Sequence, residues 1–129
     1  MIGSNAFNYI NVLNSAATAS LTRNNVIANN IANVDTPNYK RQDVQFESFL
    51  NTAISGGESL DKQVADVDMD SLAPKVYTDN ASLSYRLDGN NVDIDTEQSY
   101  LADNQIRYYA LLDSMTQEFS RMKSVLAAK

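Results

Sequence analysis

Asp66, Asp68 and Asp70 stand at alternate positions in the run ADVDMDS. Three carboxylates so spaced open the loop of a calcium-binding EF-hand, where their oxygens surround one hard cation. That loop also requires glycine at its sixth place and a bidentate glutamate at its twelfth. Ser71 and Tyr77 stand there instead, so the pattern predicts a solvated acidic loop. A second group, Asp88, Asn90, Asp93 and Asp95, is interrupted by Gly89 and Val92 where ligands would be needed. Asp93 and Asp95 are of a type suited to general acid–base work. Nothing else in the sequence builds a pocket around them, and capping the following helix is the plainer role. The chain has no histidine and no cysteine. This removes the commonest general base and metal ligand, and it excludes disulfides and thiolate metal sites. No nucleophile elbow, phosphate loop or dinucleotide-binding glycine motif is present. The reading is a chain with no catalytic residue, no cofactor and no metal. A carboxylate-based hydrolase is the enzymatic alternative.

The other expressive side chains are amides. Asn25, Asn29 and Asn33 lie four apart, and Asn5, Asn8, Asn11 and Asn14 lie three apart, so each set shares a helix face. Asparagine is a poor helix former, because its amide competes for backbone hydrogen bonds. Any single surface asparagine means little. A row of amides beside an apolar stripe points to packing that trades stability for register and partner choice.

Two long helices must carry these rows. From residue 5 to about 34, Phe7, Ile10, Ala17, Leu21, Ala28 and Ile31 keep a helical period, with Leu13 and Ile27 beside them. Asn14 and Asn24 interrupt that stripe. Pro37 forces the stop, since the residue before a proline is pushed out of the helical region. From 96 to 128, Leu101, Tyr108, Leu112, Met115, Phe119, Met122 and Leu126 follow an alternating three–four spacing with Gln105 as the polar member, which predicts a heptad seam. Asp95 with Gln98 reads as its N-terminal cap. The expected organisation is one unit over 1–129: helix and turn to 36, a middle segment over 37–95, and a helix over 96–129. The middle holds Gly56, Gly57 and Gly89 and is acidic and aperiodic. Leu83, Tyr85 and Leu87, then Val92 and Ile94, alternate about Asp88-Gly89, which predicts a short β-hairpin or extended arm. The fold class expected is mainly α, with the terminal helices pairing as a coiled-coil-like hairpin around a loose middle.

The formal net charge is −6 over 129 residues. No basic stripe accompanies it, so nucleic acid is not an expected partner. No apolar run approaches the roughly 20 residues of a membrane span, so insertion is not expected either. The first twenty residues lack a basic region followed by a continuous apolar one, so no cleaved signal peptide is expected.

ANNIANVDTPNYKRQDVQF, residues 28–46, closely resembles the N-terminal signature of bacterial flagellar rod and hook proteins. LDGNNVDIDTEQSYLADNQIRYYALL, residues 87–112, resembles the C-terminal signature of the proximal rod members. The resemblance implies a structural subunit without enzymatic activity, polymerising through its terminal helices into the axial rod of the basal body. It implies termini that fold on assembly, and export by the flagellar type III apparatus without a cleaved signal. It implies a place at the base of the periplasm-spanning rod. The implied partners are the chain itself, other rod proteins, the junction protein at the MS ring and the export gate. The packing residues would be those of the two stripes, with Asn25, Asn29 and Asn33 among them. The turn would be Thr36, Pro37, Asn38 and Tyr39. The family usually has glycine where this chain has Asn38, a position that would take a left-handed conformation, which asparagine tolerates best after glycine. Family export substrates carry a phenylalanine followed four residues later by an apolar residue. FESFL supplies Phe46 and Leu50, which equally fit a helical turn packed in the core. A secreted coiled-coil adaptor or chaperone, and a rod subunit at another level, are the alternative readings.

Overall fold

The structure is a computed structural model that describes residues 5–80 and 86–128. Helix α1 spans Asn5–Ala32 and helix α4 spans Ile94–Ala127. Between them lie strand β1 (Gln42–Gln45), helix α2 (Glu47–Ala53), helix α3 (Leu60–Ala65), a 3-10 turn over Met69–Leu72 and strand β2 (Lys75–Thr78). The expected class holds: a mainly helical chain, two long paired terminal helices, and a small antiparallel sheet in the middle.

The middle is held against α1 by a small core. Ala19, Phe46 and Leu72 are buried together, and Val12, Ala16, Phe49, Leu50, Val67 and Met69 pack around them. The sheet pairs Gln42 with Thr78 and Gln45 with Lys75. It is not the hairpin expected about Asp88-Gly89. Leu83 and Tyr85 lie outside the described residues; Leu87 is fully exposed in a turn, and Ile94 begins α4. Over the described residues 86–94 the alternation forms no strand, because Asn90 and Asp93 cap two helices.

Those caps differ from expectation by two residues. Asp93, with extended backbone, accepts from the N–H groups of Asp95 and Thr96 at 3.0 and 3.2 Å, so it is the cap of α4 and Asp95 lies inside the first turn. At the other end of the pair, Asn90 is fully buried and donates from Nδ2 to the carbonyls of Asn33, Val34 and Thr36 at 2.8–3.0 Å. These are carbonyls at and beyond the last turn of α1, where no helical N–H is available. The acidic residues elsewhere have similar work: Asp68 accepts from the N–H of Asp70 and starts the 3-10 turn.

The turn between α1 and β1 depends on one contact. Asn38 adopts φ 59°, and its N–H donates to the carbonyl of Asp88 at 2.8 Å. Gly89, at φ 75°, lies so close that a Cβ there would sit 2.6 Å from Asn38 Oδ1.

Candidate assembly surface

Helix α4 turns Glu97, Leu101, Asn104, Tyr108, Leu111, Met115, Glu118 and Met122 inward, buried or half-buried at three–four spacing. This shares Leu101, Tyr108, Met115 and Met122 with the predicted seam. The alternate positions shift by one residue, from Gln105, Leu112 and Phe119 to Asn104, Leu111 and Glu118. Phe119 gives way to Glu118, which pairs with Arg121 on its own helix, and Asn104 turns inward because Ser20 and Asn24 of α1 supply its partners.

Those partners form two buried layers. In the first, Asn104 Nδ2 donates to the Ser20 carbonyl and to Asn24 Oδ1, both at 2.8 Å, and Ser20 Oγ donates to Asn104 Oδ1 at 3.0 Å. In the second, Asn30 is fully buried and uses its whole amide. Its Nδ2 donates to the Gln42 carbonyl and to Glu97 Oε2, and its Oδ1 accepts from the Gln42 N–H and the Tyr39 hydroxyl. Arg41 completes the layer, with Nε on Glu97 Oε1 at 2.7 Å and Nη1 on Asp79 at 2.6 Å. Burial alone would lower the Arg41 pKa, but the hydrogen bonds that Arg41 donates to Glu97 and Asp79 outweigh it and hold it above its ordinary value. A hydrogen bond to Arg23 holds the Glu47 carboxyl below its ordinary value against the opposing effect of burial. No described buried side-chain N or O lacks a hydrogen-bond partner.

The two layers fix the helix pair in one register and leave other apolar side chains outside. On α4, Phe119 and Leu126 are 52 % and 66 % exposed. Leu112, Tyr109 and Ile106 are exposed beside them. On α1, Phe7, Leu21 and Ala28 face out, as do Asn25 and Asn29. Ile10 is buried, and Ile31 and Asn33 are half-buried. Of the asparagine row, Asn33 donates back to Asn29, and Asn29 donates to the Tyr39 hydroxyl. Part of that row therefore winds the helix down into the turn at Thr36, Pro37 and Asn38, which are exposed, while Tyr39 is half-buried. An apolar cleft of about 330 Å³ opens between α1, α2 and α4, with Ala16, Leu50, Ala110 and Leu111 in its walls. Of the FESFL pair, Phe46 is buried in the core and Leu50 is half-buried against it.

Sequence reading missed the Glu97–Arg41 pair and the Ser20–Asn104 layer. The available signal was the polar interruption at Asn24. A polar residue in one stripe asks for a polar partner in the other.

Among the described residues no catalytic group is assembled. The geometry offers a rigid helix pair with a second, unpartnered apolar stripe, of the kind that marks interaction sites. No described helix is long and apolar enough to cross a membrane. The comparisons point to a structural component of the flagellar basal body rod. A family profile described as flagella basal body rod protein matches residues 10–40. The flagellar basal body rod protein FlgB of Bacillus subtilis (strain 168) is 39 % identical over 88 % of this chain and 89 % of its own length. The FlgB proteins of Escherichia coli (strain K12) and Borrelia hermsii are each 36 % identical over 81 % of this chain, and over 82 % and 84 % of theirs. With such identity over four-fifths or more of both chains, this chain belongs to the FlgB family of flagellar basal body rod proteins.

Proposed function

We propose that this chain is the proximal subunit of the flagellar rod and polymerises through the outward faces of α1 and α4. The observation that carries this reading is the second stripe. Phe119 and Leu126 are seven apart on α4 and exposed, although the helix pair is already closed in register by its buried amides. A helix pair that has satisfied its own seam and still presents a heptad stripe is suited to neighbours of the same kind. Asn25 and Asn29, beside Ala28, would set the register of that contact. The partners under this reading are further copies, other rod proteins and the junction protein at the MS ring, with the rod crossing the periplasm.

The test is incorporation into rods. Phe119→Asp and Ala28→Asp change exposed residues, so each should leave a folded monomer while rods and motility are lost. Normal motility in both would sink the reading. An adaptor acting outside the filament would leave basal bodies intact when the gene is deleted.

We further propose that Phe46 and Leu50 are read by the export gate before the chain folds, since Phe46 is buried and Leu50 half-buried afterwards. Phe46→Ala should then lower export, whereas Leu72→Ala, which opens the same core from another residue, should not. Equal loss in both variants would assign Phe46 to packing alone.

A further inference from the structure

The outer edge of β2 is open. The backbone groups of Gln42 and Val44 point toward α1: Asn30 brackets Gln42, and Arg23 Nη2 donates to the Val44 carbonyl at 2.8 Å. Asp43 and Gln45 therefore make the ladder to β2, in line with the bond from the Asp79 N–H to the Arg41 carbonyl. Strand geometry then turns the N–H and C=O groups of Val76 and Thr78 away from the sheet. Outside the β1–β2 ladder, no bond among the described residues reaches these four groups. All four residues of β2 are exposed, with Val76 at 48 % and Tyr77 at 45 %. So small an open edge is a template for another strand.

We propose that β2 pairs antiparallel with β2 of a second copy of this chain, in a register centred on Tyr77. The sequence 74–79, PKVYTD, is its own complement in that register. Val76 faces Thr78 of the second copy, and the outward backbone groups of each pair exchange both of their bonds. Lys75 comes opposite Asp79 twice, adding a second positive charge to a carboxylate that already holds Arg41, and opposite charges directly across a strand pair are favourable. Tyr77 meets its own equivalent on the two-fold axis. The neighbouring registers are worse. Centring on Val76 sets Thr78 against Pro74, which has no N–H to give. Centring on Thr78 removes both charge pairs. The charge pattern thus selects a second copy over an arbitrary extended peptide. Such a contact is isologous and closes at two chains. It leaves Phe119 and Leu126 uncovered, goes beyond the rod reading, and describes a form of the free subunit.

The full chain has no cysteine, so one introduced thiol reports the pairing directly. Across a non-hydrogen-bonded antiparallel pair the Cα atoms come to about 4.5 Å, within disulfide range. Tyr77→Cys under mild oxidation should give a covalent dimer several-fold faster than Leu87→Cys, an exposed control off the edge. Adding Thr78→Pro removes an N–H that faces only the open edge, twice by symmetry, and should weaken association about tenfold. Lys75→Glu should lower the yield as well by placing like charges opposite Asp79, and it carries the test if Thr78→Pro disturbs the circular dichroism spectrum. Equal rates for Tyr77→Cys and Leu87→Cys would overturn the proposal, as would a Tyr77→Cys yield indifferent to Lys75→Glu.

Discussion

Glu97 is the most demanding single residue of the chain. Its side chain is 1 % exposed, and its carboxylate is answered by Arg41 Nε and Asn30 Nδ2. A buried ion pair gives little net stability over a well-packed apolar substitute, but removing one partner strands a charge in low dielectric. Arg41→Met is therefore expected to lower the unfolding free energy by about 3–5 kcal/mol. Adding Glu97→Leu should recover a good part of that loss, and urea midpoints of the two variants measure both. Arg23 with Glu47 behaves differently, because this pair is partly open to water. Its signature is pH dependence. The folded pKa of Glu47 lies below its ordinary 4.5, so its contribution is complete above that value and is lost as pH falls through the lower folded pKa. Thermal midpoints taken from neutral to acid pH should drop more steeply in this range for the parent than for Glu47→Gln. Parallel curves would mean that the pair is screened to nothing.

At the scale of elements, the end of α1 depends on residues more than fifty positions away. Asn90 Nδ2 donates to the carbonyls of Asn33, Val34 and Thr36 just past it, Arg86 Nη1 donates to the Val34 carbonyl at 2.7 Å, and Asp88 accepts from Asn38. Asn38 and Gly89 face each other there, both with positive φ. An alanine at Gly89 would carry the left-handed backbone penalty of about 1–2 kcal/mol. It would also set its Cβ 2.6 Å from Asn38 Oδ1, so the turn has to shift. Gly89→Ala is expected to lose at least the backbone term in denaturant titration, and Asn38→Gly in the same chain should relieve the clash. The sheet shows the same economy. One side of β1 is satisfied by the side chains of Asn30 and Arg23 in place of a third strand.

Taken whole, the molecule is anchored at one end and lightly held at the other. The N-terminal half of α4 carries the buried Glu97 and Asn104, whereas beyond Phe119 only Met122 among the described residues is even half-buried. This asymmetry explains why the aspartate variants proposed above separate folding from assembly. Substitution at exposed positions such as Phe119 is expected to move monomer stability by no more than about 0.5 kcal/mol. An aspartate placed in a subunit contact would meet a desolvated apolar face instead. Comparing the denaturation midpoint of Phe119→Asp with its incorporation into rods measures the two effects apart.

The sequence by itself determined the two long helices, the stop of the first, the absence of thiol and imidazole chemistry, and the family signatures at both ends. These are local properties: period, proline, cap chemistry and residue type act within a few positions of themselves. It determined half of the inward seam, because Leu101, Tyr108, Met115 and Met122 belong to either register. Only the tertiary structure decided the other half. Whether Asn104 or Gln105 turns inward depends on Ser20 and Asn24, some eighty residues earlier, and an apolar count along one helix does not weigh a polar partner on the other. The same holds for β2, whose mate β1 lies thirty residues upstream, and for the buried Phe46. Long-range pairing is settled by which polar groups must be satisfied once the helices meet.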